Sequence, residues 1–221
     1  MIRILVIFSF LSLEIFSQAT ITKIVNEKGA IKNLTEEQFV SNVVDLIHNE
    51  KQIIASVNAG LQVEYKLTGE TVSNFKEFGN MALVITNKNL LAISNNATEF
   101  ARQPLFSDTN ITYTVSNSLI FVITNRKIYS YTVSSSEWRS IDLTGEYVRS
   151  HAAFDKTGTL ITNKRIISYS EFTKEFHFFN IDIFTPVNNY TVLADKIIFA
   201  SSRKTIIYRA TTGEYSVVNF N

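Results

Sequence analysis

Along the middle of the chain, short apolar runs and alternating apolar and polar runs succeed one another at a fixed interval. Ile85-Thr86-Asn87-Lys88, Ile123-Thr124-Asn125-Arg126 and Ile161-Thr162-Asn163-Lys164 stand 38 residues apart, and Ala200-Ser201-Ser202-Arg203 follows 39 residues after the third. A period of this size marks stacked copies of one supersecondary unit. In each copy an apolar run enters the segment and an alternating run leaves it, as residues 119–124 and 127–133 do. That pattern predicts a β-hairpin. Asn tolerates positive φ, so Asn followed by a basic residue predicts a two-residue turn between the strands.

The clearest copy divides into four strands, a to d, over residues 111–115, 119–124, 127–133 and 137–143. The turns from a to b carry Asn42, Asn80, Asn117, Asp155 and Asp195, ordinary turn residues. The d strands begin with Phe100, Trp138, Phe176 and Tyr215, in register, which predicts apolar contacts between neighbouring units. Before residue 80 two readings compete. Thr35-Glu36-Glu37-Gln38 resembles a capping box, and Phe39, Val43, Val44 and Ile47 have helical spacing. Against a helix, Asn49-Glu50 lies 38 residues before Asn87-Lys88, and Leu67-Thr68-Gly69-Glu70 recurs as Leu143-Thr144-Gly145-Glu146 at twice that interval. The phase favours a divergent first repeat, with an N-terminal helix as the alternative.

With five such units, the chain resembles a β-propeller, in which four-stranded blades surround a central channel. The resemblance covers residues 32–221 and rests on repeat and strand pattern, since no WD, kelch or Asp-box signature is present. It implies an all-β chain, a five-bladed β-propeller of four-stranded antiparallel blades. Residues 20–31 form an extension in which 21–25 could supply a closing edge strand; alternatively, the ring is completed by a partner. In a propeller the d-to-a loops and b-to-c turns share one face.

The first 19 residues read as a signal peptide: Arg3 gives the positive start, residues 4–16 are mostly apolar, and Ser17 and Ala19 place small residues at a cleavage site. The alternative is a buried first strand. Export predicts a periplasmic or secreted protein, and no later stretch is apolar and long enough to span a membrane. Cysteine is absent, which excludes disulfides, thiolate metal sites and a Cys nucleophile. Lys and Arg total 21 against 20 Asp and Glu, so no overall field draws the chain to nucleic acid. Seventeen Phe and nine Tyr against seven Gly suit a β-rich globule.

Candidate chemistry is confined to one face. The b-to-c turns carry Lys88, Arg126, Lys127, Lys164, Arg165, Arg203 and Lys204, a basic ring broken by Glu50 in the first blade. The d-to-a loops carry Glu70, Asp108 and Glu146, also 38 apart. Either the acids pair with the basic turns as weak surface bridges, or the excess cations bind an anionic glycan, a lipid headgroup or a partner protein by repeated contacts. Exposed aromatics near Tyr147 or Tyr190 would favour glycan. Five-bladed glycoside hydrolases resemble this fold and place carboxylates around the cavity, but Glu70, Asp108 and Glu146 occupy equivalent positions rather than the differentiated ones an acid and base require. His48, His151 and His177 fall in different phases, and no Gly-rich phosphate loop exists, so neither metal nor nucleotide cofactor is expected. Asn33, Asn96, Asn110 and Asn189 begin glycosylation sequons. The expectation is a binding or scaffolding module without a catalytic site, and a glycan-binding or carbohydrate-active propeller is the alternative.

Overall fold

A computed structural model describes residues 44–57, 60–181, 187 and 189–220. The expected signal peptide, the closing strand over 21–25, the turn at Asn42 and most of the competing helix lie outside those residues. The protein is an all-β propeller of five antiparallel sheets. The first comprises β1 (Asp45–His48), β2 (Gln52–Val57) and β3 (Leu61–Lys66), so the end of the ambiguous segment is strand, in the phase of a b strand. The second blade is β4 (Val72–Phe78), β5 (Met81–Thr86), β6 (Asn89–Ser94) and β7 (Ala101–Pro104). The third is β8 (Thr112–Val115), β9 (Leu119–Ile123), β10 (Lys127–Thr132) and β11 (Trp138–Asp142). The fourth runs through β12 (Val148–Phe154), β13 (Thr157–Thr162), β14 (Arg165–Ser170) and β15 (Glu175–Asn180). The fifth is β16 (Asn189–Val192), β17 (Lys196–Ala200), β18 (Lys204–Arg209) and β19 (Glu214–Asn219). Within every blade each strand pairs with the one before it.

The apolar runs explain where the core sits. Every residue of β5, β6, β9 and β13 is buried, because a middle blade is covered on both faces by its neighbours. By contrast, β2 buries alternate residues and β17 only Ile197 and Phe199, so the described residues cover the first and last blades on one face. Four apolar clusters join successive blades, from the first to the fifth. The d-strand aromatics belong to these joints. The Trp138 indole donates to the Ala101 carbonyl of the preceding blade at 3.0 Å, and the Tyr215 hydroxyl donates to the His177 carbonyl at 3.3 Å. Phe100 lies edge-on to Tyr65 of the first blade, and Phe176 packs on Tyr169 of its own. Trp138 opens its strand, Phe100 immediately precedes its own, and Phe176 and Tyr215 are second in theirs.

Candidate functional site: the face of basic turns

In the second, third and fourth blades the b-to-c turn is built by its Thr. The Thr86 hydroxyl accepts from the amides of Lys88 and Asn89 at 3.2 and 2.8 Å, Thr124 does the same for Arg126 and Lys127, and Thr162 for Lys164 and Arg165. Ser201 replaces Thr in the fifth blade and accepts from Lys204 at 3.1 Å. The neighbouring Asn acts differently from expectation. Neither Asn87, Asn125 nor Asn163 has positive φ; the left-handed residues on this face include Gly69, Ser107 and Gly145, at equivalent places in the d-to-a loops. Asn is instead a clamp. Its side-chain carbonyl accepts from the loop amides of Thr71, Thr109 and Tyr147 at 3.0, 2.8 and 3.0 Å, and its own amide donates back to the same residues' carbonyls. The clamp therefore ties turn and loop together on one face, as the propeller resemblance implies. From the other side, the amides of Leu67, Leu105, Leu143, Ile181 and Phe220 donate to the carbonyls of Lys51, Lys88, Arg126, Lys164 and Arg203, which fixes the backbone that carries the basic side chains.

Those side chains divide into two groups. Lys88, Arg126, Lys164 and Arg203 are exposed. Lys127, Arg165 and Lys204 are half-buried and engaged: Lys127 pairs with Asp142 at 3.4 Å, Arg165 with Glu146 at 2.8 Å, and the Lys204 ammonium lies 5.9 Å from the Phe179 ring centre. Surface pairing thus accounts for part of the basic ring. The exposed Arg126 guanidinium also donates to the Phe106 carbonyl at 2.9 Å, and Lys164 folds over Gly145.

The three acids are turned toward hydroxyls. Glu70 accepts from Thr86 at 2.7 Å and Tyr65 at 2.9 Å; Asp108 from Thr124 at 2.6 Å and Tyr129 at 3.0 Å; Glu146 from Thr162 at 2.6 Å. Only Glu146 makes the expected pair with a basic turn among these three. Burial would raise the Glu70 carboxyl, but hydrogen bonds from Asn89, Thr86 and Tyr65, with Arg102 nearby, outweigh it and hold the pKa below the ordinary value. A depressed folded pKa gives stability that is full above the unfolded value, about 4.3, and is lost as pH falls through the lower folded value. Between about pH 7 and about pH 3, the urea midpoint of the native chain is expected to fall further than that of Glu70→Gln. Equal falls in the two proteins would remove Glu70 from the acid response.

The exposed aromatics on this face include one residue in each of two d-to-a loops, and Phe220 beside the fifth turn. Phe106 is 68% and Tyr147 59% exposed, and the Arg149 guanidinium stands 5.8 Å from the Tyr147 ring centre. Tyr190 is half-buried against Phe199. Beside Tyr147, between the third and fourth blades, lies a crevice of about 340 Å³ lined by Asn110, Thr112, Asn125, Glu146 and His151, with Ile123 and Val148 among its apolar walls. Repeat reasoning overlooked it because it breaks the repeat. The available signal was His151, which stands where the second, third and fifth blades carry Phe75, Tyr113 and Tyr190. The remaining histidines sit elsewhere: His48 is edge-on to Phe75, and His177 hydrogen bonds Thr173 at 3.0 Å. No described helix is long and apolar enough to cross a membrane.

No protein-family model matches the chain, and no curated protein matches it. Similar solved structures include Hsv2 from Kluyveromyces lactis, at 9% identity and a TM-score of 0.39, with 80% of this chain and 59% of that one covered. The WD40 domain of SCAP from fission yeast is 9% identical with a TM-score of 0.38, over 82% of this chain and 53% of the other. AztD from Citrobacter koseri is 14% identical with a TM-score of 0.33, over 80% and 60%. The chain spans less than two thirds of each of these proteins.

Proposed function

We propose that this chain is an exported, non-catalytic binding module whose face of b-to-c turns takes an acidic glycan. The observation that carries the reading is the repeated presentation of Lys88, Arg126, Lys164 and Arg203, all exposed on clamped turns, while Glu70, Asp108 and Glu146 are turned toward Thr, Tyr and Arg partners. One exposed cation contributes little in physiological salt. Four at equivalent positions act together on a polymer whose charges also repeat, and the second and later contacts gain from effective concentration. Exposed Phe106 and Tyr147 favour a glycan over a simple polyanion, because an aromatic face can cover the apolar face of a sugar ring.

The acids support the absence of catalysis. A glycosidase needs one carboxyl with a raised pKa and one kept ionised, in different surroundings. Glu70 and Asp108 instead each accept from a Thr and a Tyr hydroxyl, and Glu146 accepts from Thr162 and pairs with Arg165, so none of the three has the apolar surroundings that make a carboxyl a general acid.

Polygalacturonate immobilised on a column, with neutral dextran as control, tests the proposal. The native chain is expected to be retained on polygalacturonate and released by salt, and to pass through dextran. Replacing Lys88, Arg126, Lys164 and Arg203 together by Ala is expected to weaken retention about tenfold or more, with an unchanged melting temperature because these side chains are exposed. Equal retention of both proteins would refute the basic face as the site.

A further inference from the structure

In four blades one residue of the innermost strand stands in register opposite the second strand: Phe75 opposite Val84, Tyr113 opposite Val122, His151 opposite Leu160, and Tyr190 opposite Phe199. Phe75, Tyr113 and Tyr190 each pack against the core that joins their blade to a neighbour. His151 puts a smaller, polar ring at this position, and it lines the crevice between the third and fourth blades. A cavity of about 340 Å³ falls at the small end of ligand sites, suited to one sugar ring.

We propose that this crevice is the subsite for a single acidic sugar unit of the glycan. The inference rests on the proposed function and assigns that reading a place of chemical recognition. The walls offer what a uronate ring requires. Tyr147 gives an exposed aromatic surface at the rim. Asn125 has its carbonyl committed to the Thr109 amide, which leaves its NH2 group to donate to a hydroxyl, while Thr112 and His151 add hydrogen-bonding groups. Burial lowers the His151 pKa, so the neutral imidazole can both donate and accept near neutral pH. The Glu146 carboxylate is neutralised by Arg165 and held by Thr162, which limits its repulsion of an anion. Arg149 over Tyr147 and Lys164 over Gly145 set cations at the rim, where the uronate carboxylate would lie.

The test uses trigalacturonate, with neutral maltotriose and sodium acetate as controls, titrated into the full chain while the imidazole signals are followed by NMR. Only three histidines contribute signals. The His151 signals are expected to move saturably with trigalacturonate while those of His48 and His177 stay fixed, with maltotriose and acetate each binding about tenfold more weakly or worse. His151→Phe supplies the aromatic ring found in the second, third and fifth blades, so it is expected to fold. By calorimetry it should bind trigalacturonate about tenfold more weakly while keeping its retention on polygalacturonate through the exposed cations. An unmoved His151, an equal response to acetate, or undiminished binding by His151→Phe would overturn the crevice assignment. If retention on the column persisted in any of those cases, the basic-face reading would stand without it.

Discussion

Phe121→Ala is expected to lower the unfolding free energy by about 3–5 kcal/mol, among the largest losses from any single side chain here. Phe121 lies on β9 with 1% exposure, and its ring fills the joint between the third and fourth blades. What makes room for it is Gly158 on β13. A Cβ added to Gly158 would meet the Phe121 ring at 2.8 to 3.0 Å, so this glycine is required for space and not for a left-handed backbone. Gly158→Ala should therefore also destabilise, by about 1–3 kcal/mol, because a fully packed ring cannot retreat without straining its neighbours. The two effects should not add. In a Phe121→Ala background the extra methyl of Gly158→Ala should cost much less, since the ring atoms it would strike are gone. Guanidinium unfolding of the four proteins measures the cycle. Additive losses, or a Phe121→Ala cost below about 1 kcal/mol, would show that the ring and the glycine are not a matched pair.

The contrast between that pair and the rest of the fold shows which features the sequence makes legible. Strands b and c of the third blade were expected at 119–124 and 127–133 and are found at Leu119–Ile123 and Lys127–Thr132. They were legible because a run buried on both faces leaves a dense apolar signature, and repetition confirms each copy by the next. Phe121 and Gly158 were not, because periodicity tells which face a residue occupies and not what it meets on the neighbouring blade. The same limit applies to the site. The basic residues and their common face followed from the repeat, as did the phase of Glu70, Asp108 and Glu146. The direction of the acids did not: a carboxylate beside a Lys-rich turn suggests an ion pair, yet Thr86 and Thr124 stand nearer than the basic side chains do. Asn in the turn was misread for a related reason. Its tolerance of positive φ is a local property, whereas its actual work, clamping a loop 16 residues earlier in sequence, is a tertiary one.

Asp108→Ala tests whether the repeated acids serve the fold. Tyr129 is buried, and burial together with its hydrogen bond to Asp108 pushes the phenol well above its ordinary pKa, so it remains a donor at any physiological pH. Removing the carboxylate leaves that donor without its acceptor. Thr124 is affected less, because its hydroxyl also lies 3.1 Å from the Lys127 carbonyl and can turn to it. The expected loss is about 1–3 kcal/mol, the cost of one unsatisfied buried hydroxyl. Adding Tyr129→Phe should recover much of the loss, since replacing both partners by apolar groups removes the orphan. Urea midpoints of the native chain, the two single variants and the double variant complete the cycle. A loss with recovery would make Asp108 a structural residue; Glu70 takes its phenol from Tyr65 on β3 of the preceding blade, so the second blade is a separate case. A gain in stability on removing Asp108 alone would mean that the fold bears a cost to keep a carboxylate on this face. Residues retained against stability are those held for ligand or reaction chemistry, and that outcome would turn the acids from props of the loops into candidates for carbohydrate hydrolysis.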